Sequence, residues 1–168
     1  MQFKGIFEYP PMFHELADEL AKLRSKMSKD VYKKGTEKYR GNREHEISAR
    51  GIMGELIARD YLSYRPIKYK AAALVDFKPL VEPDIVLLDV PHSPNIDVKC
   101  AKEDATMFYV NEGAFNNTDK KIDIYWFVKL EKNFQASHYV VYDKEVGSQW
   151  ELKELTYTKA YCAKIPEL

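Results

Sequence analysis

The sequence predicts an α/β (α+β) fold, a mixed β-sheet flanked by helices, on three observations. Apolar residues recur at helical spacing early in the chain, short β-branched runs follow from residue 84, and no repeat or Gly/Ser linker separates them. The 168 residues, 45% hydrophobic and 13% aromatic, suffice for one domain with a buried core and exclude a globally disordered chain.

Each element has its own warrant. Phe13, Leu16, Leu20, Leu23 and Met27 fall on one stripe at helical spacing and predict a helix over 12–28. Ser28-Lys29-Asp30 reads as the cap of a second, more polar helix, and Gly35 and Gly41 read as breaks. From Glu44 to about Tyr64 runs a long helical pattern whose face Ser48, Gly51, Glu55, Ala58 and Leu62 is mostly small, with one carboxylate. Small residues let a helix approach a sheet closely, so that carboxylate is expected to point inward. Pro66 ends the element. The period then shortens. DIVLLDV (84–90) and IDVKCA (96–101) predict two strands joined by the turn-rich PHSPN. In the second, Asp97 and Lys99 share one face while Ile96, Val98 and Cys100 share the other. IDIYWFVKL (122–130) carries bulk on both faces and predicts a central strand covered on both sides. HYVVY (138–142) predicts another strand; TMFYVNEGAF reads as a connection, and the tail from Trp150 as a strand followed by a short helix.

Composition narrows the setting. The uninterrupted apolar runs are far shorter than a membrane-spanning helix, and the N-terminus lacks the apolar stretch of a secretory signal. Cys100 and Cys162 form no CxxC pair and read as reduced thiols, so a cytoplasmic protein is expected. Lys+Arg and Asp+Glu both number 26, yet residues 22–50 hold ten basic and four acidic residues, net +6. An exposed basic stripe attracts polyanions by releasing their counterions, but on charge alone the favoured reading is a solvated helical face.

Several familiar sites are missing. The chain has no GxGxxG, no GxxxxGK[ST] and no GxSxG, and His14-Glu15 and His45-Glu46 lack the second histidine of a zincin helix. His14, His45, His92 and His138 show no ligand spacing. What remains is Pro83-Asp84 followed, one strand later, by Asp97-Val98-Lys99, with Glu55 upstream on the small-residue helix. Asp84 opens one strand and Asp97 sits mid-strand on its neighbour, so their carboxylates converge at one sheet edge. Two such carboxylates repel unless a cation joins them, and a hard ion such as Mg²⁺ takes one or two carboxylates plus waters and phosphate. Lys99 points the same way, where an ammonium would orient an attacking water and offset developing charge. Asp89 faces away from Asp84, and Asp76 and Glu82 are rival acids. An isolated Asp97/Lys99 pair would read as an exposed ion pair, and Glu55 as a helix-surface carboxylate beside Arg59 at i+4.

Taken together, Gly51-x-x-Gly54-Glu55 on a helix, Pro83-Asp84, and Asp97-x-Lys99 on the following strand resemble the PD-(D/E)xK nuclease superfamily. The resemblance covers roughly Glu44 to Tyr142. It implies a restriction-endonuclease-like core, a four-stranded mixed sheet with flanking helices in the order αβββαβ. It also implies that Glu55, Asp84 and Asp97 bind Mg²⁺ or Mn²⁺, with the Val98 carbonyl as a further ligand, and that Lys99 assists the water. On this reading residues 1–43 are an N-terminal helical, basic segment packed on a nuclease-like core of residues 44–168. Lys33, Lys34, Lys38, Arg40 and Arg43 precede the Glu55 helix and are candidates to grip the phosphate backbone. The expected activity is metal-dependent hydrolysis of phosphodiester bonds in DNA, endonucleolytic, with RNA left open. A homodimer is expected if both duplex strands are cut. The alternative is a catalytically inactive nucleic-acid-binding or inhibitory module on the same fold.

Overall fold

Apolar side chains at periods of two and 3.6 divide the described residues (2–31, 43–75, 82–131, 136–156 and 158–166 of this computed structural model) into nine strands and four helices. In chain order they are β1 (Gln2–Glu8), α1 (Met12–Val31), α2 (Glu44–Ser63), β2 (Tyr69–Ala71), β3 (Ile85–Leu87), β4 (Asn95–Ala101), β5 (Met107–Asn111), α3 (Glu112–Phe115), β6 (Ile124–Leu130), β7 (Ala136–Asp143), α4 (Lys144–Gly147), β8 (Glu151–Glu154) and β9 (Lys159–Lys164). Six strands form one mixed sheet in the order β1-β7-β6-β4-β3-β2, and β5-β9-β8 form a second. Within the large sheet only β4 and β6 run parallel, with Asp97 beside Tyr125 and Lys99 beside Phe127.

The two-sided bulk of β6 is explained by what covers it. Trp126 and Val128 join Ile52, Ile57 and Ala58 of α2 in the core under the helices. Tyr125 and Phe127 turn the other way, to Phe108, Val110 and Ala163 of the second sheet. Phe108 stacks on Phe127 at 4.6 Å between ring centroids. Such a pair adds about 0.5–1.5 kcal/mol beyond its buried area.

The helices sit close because their contact residues are small. A Cβ on Gly54 would stand 2.8 Å from Cys100 Cβ and 3.4 Å from Val98, so only glycine lets α2 lie this near β4. Residues 12–31 form one continuous helix rather than a helix ending near 28 with a separate capped one after it. Its buried contacts are Ala17 and Ala21, while Leu16 and Leu23, placed on the apolar stripe by spacing, are exposed. Alanine is the better inward residue here, because it lets α1 approach α2.

Three further differences come from strands that spacing did not reveal. The N-terminal segment begins not with a helix but with β1, which adds antiparallel to β7 at the edge of the large sheet. The connection after β4 contains β5, whose alternating Phe108 and Val110 are buried. The tail forms β8 and β9 with no terminal helix, because Ala160 and Cys162 pack inward while β9 pairs with both β5 and β8. Among the described residues, no helix is long and apolar enough to cross a membrane.

Candidate active site

The site forms where β3 stops accompanying β4. Their pairing reaches Ile85–Ile96, and just before it the Asp84 N–H donates to the Ile96 carbonyl at 3.0 Å. On the other side the Ala72 N–H donates to the Asp84 carbonyl, also at 3.0 Å. The Asp84 backbone is thus pinned on both sides, and Pro83 before it limits the approach. Past this point the Val98 N–H has no strand partner, and the Asp84 carboxylate accepts it through Oδ2 at 2.7 Å. A charged acceptor on a backbone N–H makes one of the stronger hydrogen bonds available to a protein.

Asp97, with its side chain 6% exposed, points from β4 away from α2 and meets two ammonium groups. Lys99, on the same face, lies against its Oδ2, and Lys120 Nζ donates to its Oδ1 at 2.6 Å. The same Lys120 Nζ lies 3.9 Å from Asp84 Oδ1. One cation therefore faces both aspartates. Burial alone would raise the Asp97 carboxyl, but the Lys99 and Lys120 charges outweigh it and hold that carboxyl below its usual range. Asp84 goes the other way: burial and then the Asp97 charge push it up, only partly offset by Lys99 and Lys120. Of the pair, Asp84 takes a proton first. Lys99 is held in its charged form, since Asp97 and Asp84 outweigh the cost of burying it. The Tyr125 hydroxyl, buried beside Asp97 in register, has no hydrogen-bond partner among the described residues.

Glu55 approaches from α2 and is also buried, at 7% exposure. Arg59 Nη2 donates to its Oε2 at 3.0 Å, and Arg24 Nη2 of α1 lies 3.5 Å from Oε1. Both guanidinium groups are shared, Arg59 with the Ala72 carbonyl and Arg24 with the Leu74 carbonyl. Burial, followed by the Asp84 charge, pushes the Glu55 carboxyl up to about 7 against the lowering by Arg24 and Arg59. Gly51 has a place in this arrangement, because Arg24 Nη1 passes 3.8 Å from where its Cβ would stand. Of the two glycines preceding Glu55, Gly54 is the one that admits β4, while a Cβ at Gly51 would make only ordinary contact with Arg24.

The four residues singled out by sequence, Glu55, Asp84, Asp97 and Lys99, belong to one electrostatic cluster: Glu55 feels Asp84, and Lys99 feels all three acids. They do not form a three-carboxylate cage. Among the described residues no three His, Cys, Asp or Glu side chains gather closely enough to hold a metal. The Asp84–Asp97 pair does fit a hard divalent ion, since its donors are carboxylate oxygens and both already face one cation. Glu55 stands aside with its arginines.

The rival acids fall elsewhere. Asp89 lies 3.7 Å from Lys68 on the surface, Glu82 is exposed, and Asp76 is outside the described residues. Lys33, Lys34, Lys38 and Arg40 also lie outside them; Arg43 is exposed, its Nε 3.9 Å from Glu46. Arg24 and Lys120 are site residues that sequence reading missed. No local spacing signals either, because each reaches the site across the fold. Beside Lys99, a cavity of about 290 Å³ is lined by Arg50, Lys102, Phe108 and Tyr109. A larger one, about 610 Å³, lies at the Asp123–Asp143 end, where Asp123, Asp143 and Glu145 give it a rim hostile to phosphate. The smaller cavity, lined by Lys99, Arg50 and Lys102 against the single acid Asp104, is the more basic of the two, although Arg50 and Lys102 also pair with Glu46. No family model matches the chain, and no curated protein matches it.

Proposed function

We propose that the chain is a metal-dependent nuclease of the PD-(D/E)xK type that hydrolyses phosphodiester bonds in DNA, endonucleolytically and as a homodimer where both strands are cut. The observation that carries this reading is the single ammonium facing both Asp84 and Asp97, with Lys99 alongside. Two carboxylates arranged about one cation, with a second amine adjacent, suit phosphoryl chemistry better than a surface ion pair. The order α2, β2, β3, β4, then β6 parallel to β4, supports a restriction-endonuclease-like core. The connection departs from that pattern by holding β5 and only the one-turn α3.

A bound Mg²⁺ or Mn²⁺ would supply Lewis-acid stabilisation of charge on the phosphate. Asp84 and Asp97 would hold it. Lys99, kept protonated by its acidic neighbours, cannot accept a proton from water; it donates hydrogen bonds and places positive charge beside the reacting phosphate. Glu55, with its carboxyl near 7, is the group poised to accept that proton at neutral pH. Arg50 and Lys102, in the cavity beside Lys99, would hold the flanking backbone, and Tyr109, 44% exposed, offers a face for an unpaired base.

Incubation with plasmid, single-stranded and branched DNA under Mg²⁺ or Mn²⁺ tests the reading. Cleavage is expected with the metal and not with EDTA, and Asp97→Ala or Lys99→Ala should lower it by about a thousandfold or more. Wild-type rates in both variants would remove the site from the reaction.

A second reading has a specific observation in its favour: Asp97 is paired with two lysines and Glu55 with two arginines. On that reading the fold is a nucleic-acid-binding or inhibitory module with structural acids. Tight DNA binding, no cleavage under either metal, and no metal uptake would select it.

A further inference from the structure

We infer that Lys120 is a tethered counter-ion seated between Asp84 and Asp97, at the position a divalent cation would take, and that the cation must displace it. The inference rests on the metal-site reading above and adds a positioning residue that sets how much metal the site requires.

The geometry separates Lys120 from the other basic residues near the site. Its Nζ lies 2.6 Å from Asp97 Oδ1 and 3.9 Å from Asp84 Oδ1, between the two carboxylates, whereas Lys99 takes only the opposite oxygen, Oδ2, of Asp97. The side chain is 17% exposed, an unusual burial for a lysine on a connecting loop. Lys120 lies in the connection between α3 and β6, which crosses the aromatic face of the large sheet, the face to which Asp97 points. Its neighbours in that loop are turned elsewhere: the Asn117 side chain accepts the N–H groups of Asp119 and Lys120, and Lys121 is exposed. The turn closed by Asn117 thus carries the lysine whose ammonium reaches the acids.

Two buried aspartates this close cannot both stay ionised without positive charge between them. Lys120, with Lys99 beside it, supplies that charge until a metal does, and Lys120 and the metal cannot share the position. A divalent ion thus binds only the fraction of molecules from which the ammonium has left, so its apparent affinity is reduced by that fraction. Displacement frees the ammonium at the site's mouth, and Asp84 and Asp97 are held together in either state.

The test uses the full chain and Mn²⁺ alone, with titration calorimetry as readout. Lys120→Met keeps the side-chain volume and removes the charge; it should bind Mn²⁺ at least about tenfold more tightly than wild type, because the competing state is gone. Lys121→Met removes the same charge next door and should leave the affinity close to wild type, which separates occupancy from net charge. A measurement on the unsubstituted protein guards against a variant that fails to fold. Acetylation by an amine-reactive ester, read by peptide mass spectrometry, should find Lys120 protected without metal and reactive once Mn²⁺ is bound. If wild type binds Mn²⁺ between the aspartates while Lys120→Met binds it no more tightly, or while Lys120 reactivity is unchanged, the inference is overturned and the metal site stands. If neither wild type nor variant binds Mn²⁺, the metal-site reading fails and the inference falls with it.

Discussion

The helix side and the strand side of the site solve the same problem to opposite effect. Each buries a carboxylate between two cationic side chains, yet Glu55 on α2 holds its proton up to about pH 7 while Asp97 on β4 is held ionised. The difference lies in how closely the cations approach, and in the Asp84 charge that acts on Glu55. Arg59 and Arg24 stand 3.0 and 3.5 Å from Glu55 and each spends donors on a backbone carbonyl. Lys99 and Lys120 are in closer contact with Asp97, although Lys120 also faces Asp84. A buried carboxylate is kept ionised by positive charge in close contact, and two basic neighbours at longer range are not enough.

The contrast can be broken most severely at Asp97. Asp97→Asn leaves the mostly buried Lys120 and the one-third exposed Lys99 without their principal counter-charge, and should cost up to about 3–5 kcal/mol, the range for a buried pair that loses one partner. Chemical denaturation at pH 7 measures it; a loss under 1 kcal/mol would mean that the lysines relax into solvent and that Asp97 is not the site's electrostatic centre.

Glu55 should respond through pH. An unperturbed Glu carboxyl lies at 4.5 and the folded one at about 7, so between these values the folded state keeps a proton that the unfolded state has released. The stability contributed is fully present below about pH 4.5 and is lost as pH rises through about 7. Arg24, Arg59, the Asp84 charge and Lys99 are the ionic groups facing it. Glu55→Gln mimics the protonated form at every pH. Its stability relative to wild type should therefore be near zero at pH 4.5 and rise to on the order of 3 kcal/mol above pH 7.5. A difference that does not change with pH would place the Glu55 carboxyl in the ordinary range.

The smallest of the three effects concerns the two glycines that set Glu55 in place. Gly54→Ala would drive a methyl against Cys100 Cβ, 2.8 Å away, and should cost about 1–3 kcal/mol as α2 lifts from β4. Gly51→Ala meets only Arg24 at ordinary contact distance, 3.8 Å, and should be neutral or stabilising by up to about 1 kcal/mol through helix propensity. Equal losses in thermal unfolding would erase the distinction between the two.

The parts of the molecule legible in sequence were those with a local period. Strand alternation put Asp97 and Lys99 on one face of β4 and Val98 and Cys100 on the other, and the two-sided bulk of residues 124–130 identified the covered central strand. The small face of α2 was legible too, although the tightest approach is at Gly54 rather than at Gly51. What escaped was set by distant partners. β1 is a strand because β7 offers it an edge, and β5 because β9 does; neither is announced by a turn signal. Glu55 carries nothing in its own neighbourhood that foretells Arg24, which arrives from another helix, and a loop lysine reads as solvated until the fold shows two aspartates beneath it.

The most direct test of the shared cation position is anomalous diffraction from crystals soaked in Mn²⁺. A peak within bonding distance of Asp84 Oδ1 and Asp97 Oδ1, with the Lys120 side chain moved away, is the expected result. Manganese found only elsewhere, with Lys120 still seated between the two aspartates, would contradict it.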